Sequence, residues 1–138
     1  MGGSNAAVIE NREDFIMPDV KFVEHHGERI LLIDFSNDSG KLTVGEAGEE
    51  AMQLVRSSGE PHSIRGVLDL SGRPLERGVR ETMKKMSRSN GPYMKSVAFV
   101  GLGPVLSPFF KGLLFVTRRS NHRVFSTRRD ALDWLAKN

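Results

Sequence analysis

The chain contains no cysteine. A disulfide framework, a thiolate zinc site and a cysteine nucleophile are therefore excluded. Aromatic residues make up only 7% of it, with one tryptophan and one tyrosine. None interrupts the basic run over residues 73–88, so single-stranded nucleic acid finds no stacking platform there, and nucleic acid is not expected as a partner. Long apolar runs are also missing. The longest stretch, residues 104–117, is broken by Lys111 and falls short of the roughly 20 apolar residues a membrane span needs. The opening MGGSNAAVIENREDF has no basic segment followed by an apolar run, so no secretory signal is expected. Ala6 stands where a myristoylation motif requires Ser or Thr. A cytoplasmic location is the expectation. No set of nucleophile, base and oxyanion donors converges in the sequence, so it points to a non-enzymatic protein with no catalytic residues, cofactor or metal.

What is present is enough for one domain. A chain of 138 residues buries about 68–70% of its unfolded surface without staples. Charge is unevenly placed. Residues 1–72 hold 6 Lys/Arg against 13 Asp/Glu, net −7, whereas residues 73–138 hold 14 against 4, net +10. Such asymmetry marks either an anion-binding face or two surfaces that attract each other in a homodimer.

Periodicity divides the chain into alternating strands and helices. Strand-like runs at 21–24 and 29–35 (RILLIDF) flank His25-His26-Gly27, which predicts a hairpin. Thr43 and Glu46 have capping-box spacing, and Ala47, Ala51, Leu54 and Val55 follow on one helical face up to Gly59 and Pro61. Residues 64–70 (IRGVLDL) read as a strand. Leu75, Val79, Met83 and Met86 form the core stripe of a second helix, stopped by Asn90-Gly91-Pro92. Residues 95–102 are the most strand-like of all. Apolar residues at 105, 106, 109, 110, 113, 114 and 116 recur at helical spacing, and 123–125 form a short strand near an edge. Thr127 and Asp130 cap a last helix expected to bury Ala131, Trp134 and Leu135. The order is β-β-α-β-α-β-α-β-α, an α/β fold with a mixed, mostly parallel sheet flanked by helices. It divides as a partly flexible extension over 1–19 and a single domain over 20–138.

Three segments carry a family resemblance over roughly residues 20–138. GVLDLSG (66–72) resembles the core strand of the STAS fold found in anti-sigma-factor antagonists and sulfate-transporter tails. PYMKSVAFVG (92–101) and VFSTRRDALDWL (124–135) are similar to the SpoIIAA-like subgroup of small bacterial proteins, grouped with STAS domains and CRAL-TRIO-type lipid carriers. The resemblance implies a SpoIIAA/STAS-like sheet and a regulatory or ligand-binding role. Antagonists of that family carry a phosphorylatable hydroxyl at the start of the second helix, where free amides and the helix dipole stabilise the phosphate. Here that stretch is RPLERGVRE (73–81), without Ser or Thr, and Ser71 is the nearest hydroxyl. The phospho-switch does not carry over.

Several residues are candidates for function. Arg73, Arg77, Arg80, Lys84 and Arg88 recur at spacings of 4, 3, 4 and 4, a basic stripe suited to a partner protein or a small amphipathic anion. The segment over 104–117 is apolar around more of its circumference than a surface helix needs. Its Val105, Phe109, Phe110 and Leu113 form a candidate apolar pocket or interface, with Lys111, Arg118, Arg119 and Arg123 as a basic rim. A membrane surface or lipid is the alternative partner for that face. Asp34, Ser36, Asp69 and Ser71 form a candidate strand-end site, because α/β proteins place ligands at the ends of parallel strands; an Asp in that position also serves commonly as a turn residue. His25-His26 reads as a pair of turn histidines, since no third ligand stands at partner spacing within one element. Gly101-Leu102-Gly103 lacks the third glycine of a dinucleotide fingerprint, and a tight strand-to-helix turn explains it better.

Overall fold

The computed structural model of this protein describes residues 20–36, 43–102 and 121–138. In chain order the elements are β1 (Val20–His25), β2 (Glu28–Asp34), α1 (Val44–Ser58), β3 (Ile64–Asp69) and α2 (Arg77–Asn90). A 3-10 turn (Gly91–Tyr93), β4 (Met94–Val100), β5 (His122–Phe125) and α3 (Arg128–Lys137) complete them. The described strands form one five-stranded sheet in the order β1-β2-β3-β4-β5. β1 and β2 are antiparallel, and every later pair is parallel. The helix expected over 104–117 lies outside the described residues, as does the extension over 1–19.

The hairpin forms as its sequence predicts. His26 and Gly27 both have positive φ, 50° and 80°, which gives the two-residue turn whose twist matches that of the flanking strands. Thr43 Oγ1 accepts from Glu46 N at 3.1 Å and Glu46 Oε1 accepts from Thr43 N at 2.9 Å, the reciprocal cap that starts α1. Gly59, left-handed at φ 76°, ends that helix.

Alternation along the strands sorts the core into two layers. Leu31, Ile33, Leu68 and Phe99 face α1 and α2 together with Ala47, Ala51, Val55, Val79, Met83 and Met86. Ile30, Leu32, Val67, Ala98 and Val100 face α3 through Ala131 and Leu135. A sheet whose strands follow in sequence order keeps same-handed crossovers on one face, and α1 and α2 lie side by side there. Gly48 allows their close approach, since a Cβ at this position would run into the Thr82 methyl.

Two expectations need correction. α2 begins at Arg77, so Arg73 and Leu75 belong to the loop before it; Glu76 takes the extended N-cap position without a side-chain cap. Leu75 still packs on the core from that loop. Trp134 is only half-buried. It leans on Phe125 of β5, ring centroids 5.6 Å apart, and packs partly against the core layer of Ala131 and Leu135. No helix among the described residues is long and apolar enough to cross a membrane.

Candidate functional site

The four parallel strands all end at one edge of the sheet, and the sequence-predicted strand-end residues meet there. Asp34 and Asp69 are register neighbours on β2 and β3. The ladder continues past the strand ends, with Phe35 N donating to Asp69 O and Leu70 N to Val100 O, both at 2.9 Å. Each aspartate caps its own turn. Asp69 Oδ1 accepts from Ser71 N at 3.0 Å and from Ser71 Oγ at 2.7 Å. Asp34 Oδ1 accepts from Ser36 N at 2.9 Å and also from Ser36 Oγ. Gly101 sits against this turn at φ 83°, and a Cβ there would collide with the Ser71 backbone. That close approach, rather than a nucleotide, accounts for its glycine.

The residue that sequence reading missed is Arg128, in the first turn of α3. Its Nε lies 2.8 Å and its Nη2 2.7 Å from Asp69 Oδ2, and the same Nη2 lies 3.0 Å from Asp34 Oδ2. A cation at a helix N-terminus opposes the helix dipole by about 0.3–1 kcal/mol; two carboxylates beside it outweigh that. Burial pushes the Asp69 carboxyl up, but hydrogen bonds from Ser71 and from Arg128 prevail and hold it below the usual aspartate value. Burial likewise acts to lower the Arg128 pKa, and its bonds to Asp69 and Asp34 raise it above the ordinary arginine value. Arg73, half-buried, donates from Nε to Phe35 O at 2.5 Å and braces the same edge.

The chemistry of this cluster follows from its saturation. Asp69 has a side chain only 6% exposed, with one oxygen engaged by Ser71 and the other by Arg128. Both oxygens of Asp69 are thus already occupied as acceptors, which leaves that carboxylate poorly placed to take a proton from a reacting group. The arrangement is a clasp that ties α3 to the strand ends, and it agrees with the turn-residue reading of both aspartates.

The basic stripe is largely displayed. Arg77, Arg80, Lys84 and Arg88 are exposed on α2, opposite the buried Val79, Met83 and Met86. They span about 17 Å at the helical rise of 1.5 Å per residue. Arg80 also bonds Leu75 O at 2.8 Å. Arg73 does not belong to this row, because the helix starts after it and its guanidinium turns toward β2. Beside the stripe, Lys85 pairs with Glu49 of α1.

Of the apolar candidates, Val105, Phe109, Phe110 and Leu113 lie outside the described residues, as do Lys111, Arg118 and Arg119 of the rim. Arg123 is described, its guanidinium 5.6 Å from the Trp134 ring centroid on the α3 face of the sheet. A small apolar cavity of about 70 Å³ lies between α2 and the sheet, lined by Met83, Met86, Met94, Val97 and Phe99 among others. The two turn histidines meet a partner the sequence did not show. His25 Nε2 is 2.6 Å and His26 Nε2 3.3 Å from Asp133 Oδ1 on α3, and the hydrogen bond from His25 chiefly holds the Asp133 carboxyl below its ordinary value. No protein family, curated protein or solved structure matches the chain.

Proposed function

We propose that this chain is a STAS-like, non-enzymatic binding module that recognises a protein or a small amphipathic anion through the outer face of α2. The observation that carries the reading is the exposed row Arg77, Arg80, Lys84 and Arg88, set on a helix whose opposite side is buried in the core. A row of four cations on a rigid element attracts a negatively charged partner and fixes its orientation. The SpoIIAA/STAS assignment rests on the motifs at 66–72, 92–101 and 124–135, with the sequential order of parallel strands in its support. The phosphorylated hydroxyl of that family has no counterpart at 73–81, so the module works here without that switch. Titration of labelled protein with dodecyl phosphate, and separately with an acidic peptide, tests this by amide chemical shifts. Shifts should concentrate on 77–88, weaken with salt and vanish when Arg77, Arg80, Lys84 and Arg88 are all replaced by Glu. Shifts centred elsewhere, or none at low salt, would refute it.

A lipid carrier or peripheral membrane binder is the second reading. Val124 is 37% exposed on β5, and on the opposite face of that strand Arg123 stands near the half-buried Trp134 of α3; exposed apolar and aromatic surface next to a basic residue suits a membrane surface. Binding to anionic but not zwitterionic vesicles, reduced when Arg118, Arg119 and Arg123 are neutralised together, would support it. We also propose a homodimer, on the charge asymmetry and on Phe109 and Phe110. Charged replacements at those two positions should shift sedimentation toward monomer, and a wild type already monomeric at high micromolar concentration would remove the motive.

A further inference from the structure

Neighbouring side chains on a strand point to opposite faces, so two adjacent histidines in extended chain do not share a ligand. The hairpin turn removes that obstacle. His25 ends β1 on the face covered by α3, and His26 takes a left-handed conformation at φ 50°, which breaks the alternation. The two rings come to lie 4.3 Å apart between centroids, edge to face. Asp133, near the middle of α3, presents one carboxylate oxygen to both. One ligand atom from each of the three residues lies within 4.8 Å of the other two.

We infer that His25, His26 and Asp133 form a divalent transition-metal site, with zinc the ion it fits best. Two imidazoles and one carboxylate suit zinc, copper, nickel or iron(II), whereas magnesium and calcium call for more oxygen ligands. Zinc bonds of about 2.0–2.2 Å in a tetrahedron set ligand atoms about 3.3 Å apart. The separation between His26 Nε2 and Asp133 Oδ1 is 3.3 Å. The 2.6 Å between His25 Nε2 and Asp133 Oδ1 must open by about 0.7 Å to reach the same spacing. A carboxylate with a side chain 42% exposed on a helix surface makes that adjustment by rotation about its own bonds. Three protein ligands leave a fourth position open to water or to a group from outside. The site stands at the opposite end of β2 from Asp34, so a bound ion would clamp the hairpin to α3 while Arg128 holds that helix to the strand ends.

Calorimetric titration of chelator-treated protein with zinc, and the absorption spectrum of the cobalt(II) form, test this inference. One equivalent should bind per chain, with the intense visible bands of a four-coordinate cobalt site. Affinity should fall at least tenfold in His26→Gln and be lost in Asp133→Asn, with circular dichroism reporting that each variant keeps its fold. Replacing His62 and His122, the other two histidines, should change nothing. Absence of binding at equimolar zinc, or binding that persists unchanged in folded Asp133→Asn, would overturn the assignment. If Asp133→Asn does not fold, His26→Gln decides alone: its ring is 68% exposed, and undiminished zinc affinity in that variant would equally overturn it.

Discussion

Arg128 gives two nitrogens to a single oxygen of Asp69, Nε at 2.8 Å and Nη2 at 2.7 Å, across a sequence separation of 59 residues. The other oxygen of Asp69 belongs to Ser71. The contact joins the last helix to the centre of the parallel sheet, and it makes the strand-end cluster a structural feature with a measurable strength.

Replacing Arg128 with Ala should lower stability by about 2–3 kcal/mol in urea denaturation. A fully enclosed pair typically loses about 3–5 kcal/mol when one partner is removed; the guanidinium here is 37% exposed, which reduces the loss. Arg128→Lys should recover only part of it, because a single ammonium does not reproduce a planar fork reaching both Asp34 and Asp69. Equal stability of Arg128→Ala and wild type would show the clasp to be energetically idle.

Acid should weaken the same clasp. The folded-state pKa of Asp69 lies below its unfolded value, so its contribution is complete above roughly pH 4 and is lost as pH falls through the lowered value. In that window the unfolded chain binds more protons than the folded one. Asp69→Asn, less stable at neutral pH, should show a shallower decline between about pH 4 and pH 2 than wild type. An identical slope in both proteins would assign acid sensitivity to other groups.

Two glycines with similar φ should respond differently to alanine. Gly27 at φ 80° has open space where a Cβ would stand, so Gly27→Ala should cost only the left-handed penalty of about 1–2 kcal/mol. Gly101 at φ 83° adds a collision with the Ser71 backbone, and Gly101→Ala should lose clearly more, about 3 kcal/mol or above. Comparable midpoints for the two variants would mean that the Ser71 turn moves aside freely.

Phosphorylation offers a separate check. Kinases of the anti-sigma type should leave residues 73–81 unmodified, since no hydroxyl is present there. Ser71 donates its hydroxyl hydrogen to Asp69, and a phosphate in its place would set like charges together. Ser71→Asp should therefore destabilise the fold by about 1 kcal/mol. Stoichiometric phosphate on Ser71 in mass spectra would show that the switch has moved rather than disappeared.

Local pattern determined much of this protein. Thr43 with Glu46, the His26-Gly27 turn, Thr127 with Asp130, and the continuous apolar runs through 30–33 and 97–100 each involve neighbours within a few residues, where spacing translates directly into geometry. The basic stripe of α2 was readable for the same reason, apart from Arg73, whose place depended on where the helix began. Asp34 and Asp69 were legible as strand ends, though nothing in the chain indicated that Arg128 would bind both. Asp133 was equally invisible as the partner of His25 and His26. Both pairings bring together residues more than fifty positions apart, and such contacts exist only after the sheet has set the distance between its edge and the last helix. Tertiary structure decided them because hydrophobic burial of Ala131 and Leu135, which carries no information about charge, fixes where α3 lies. The charged groups then pair with whatever that placement brings within reach.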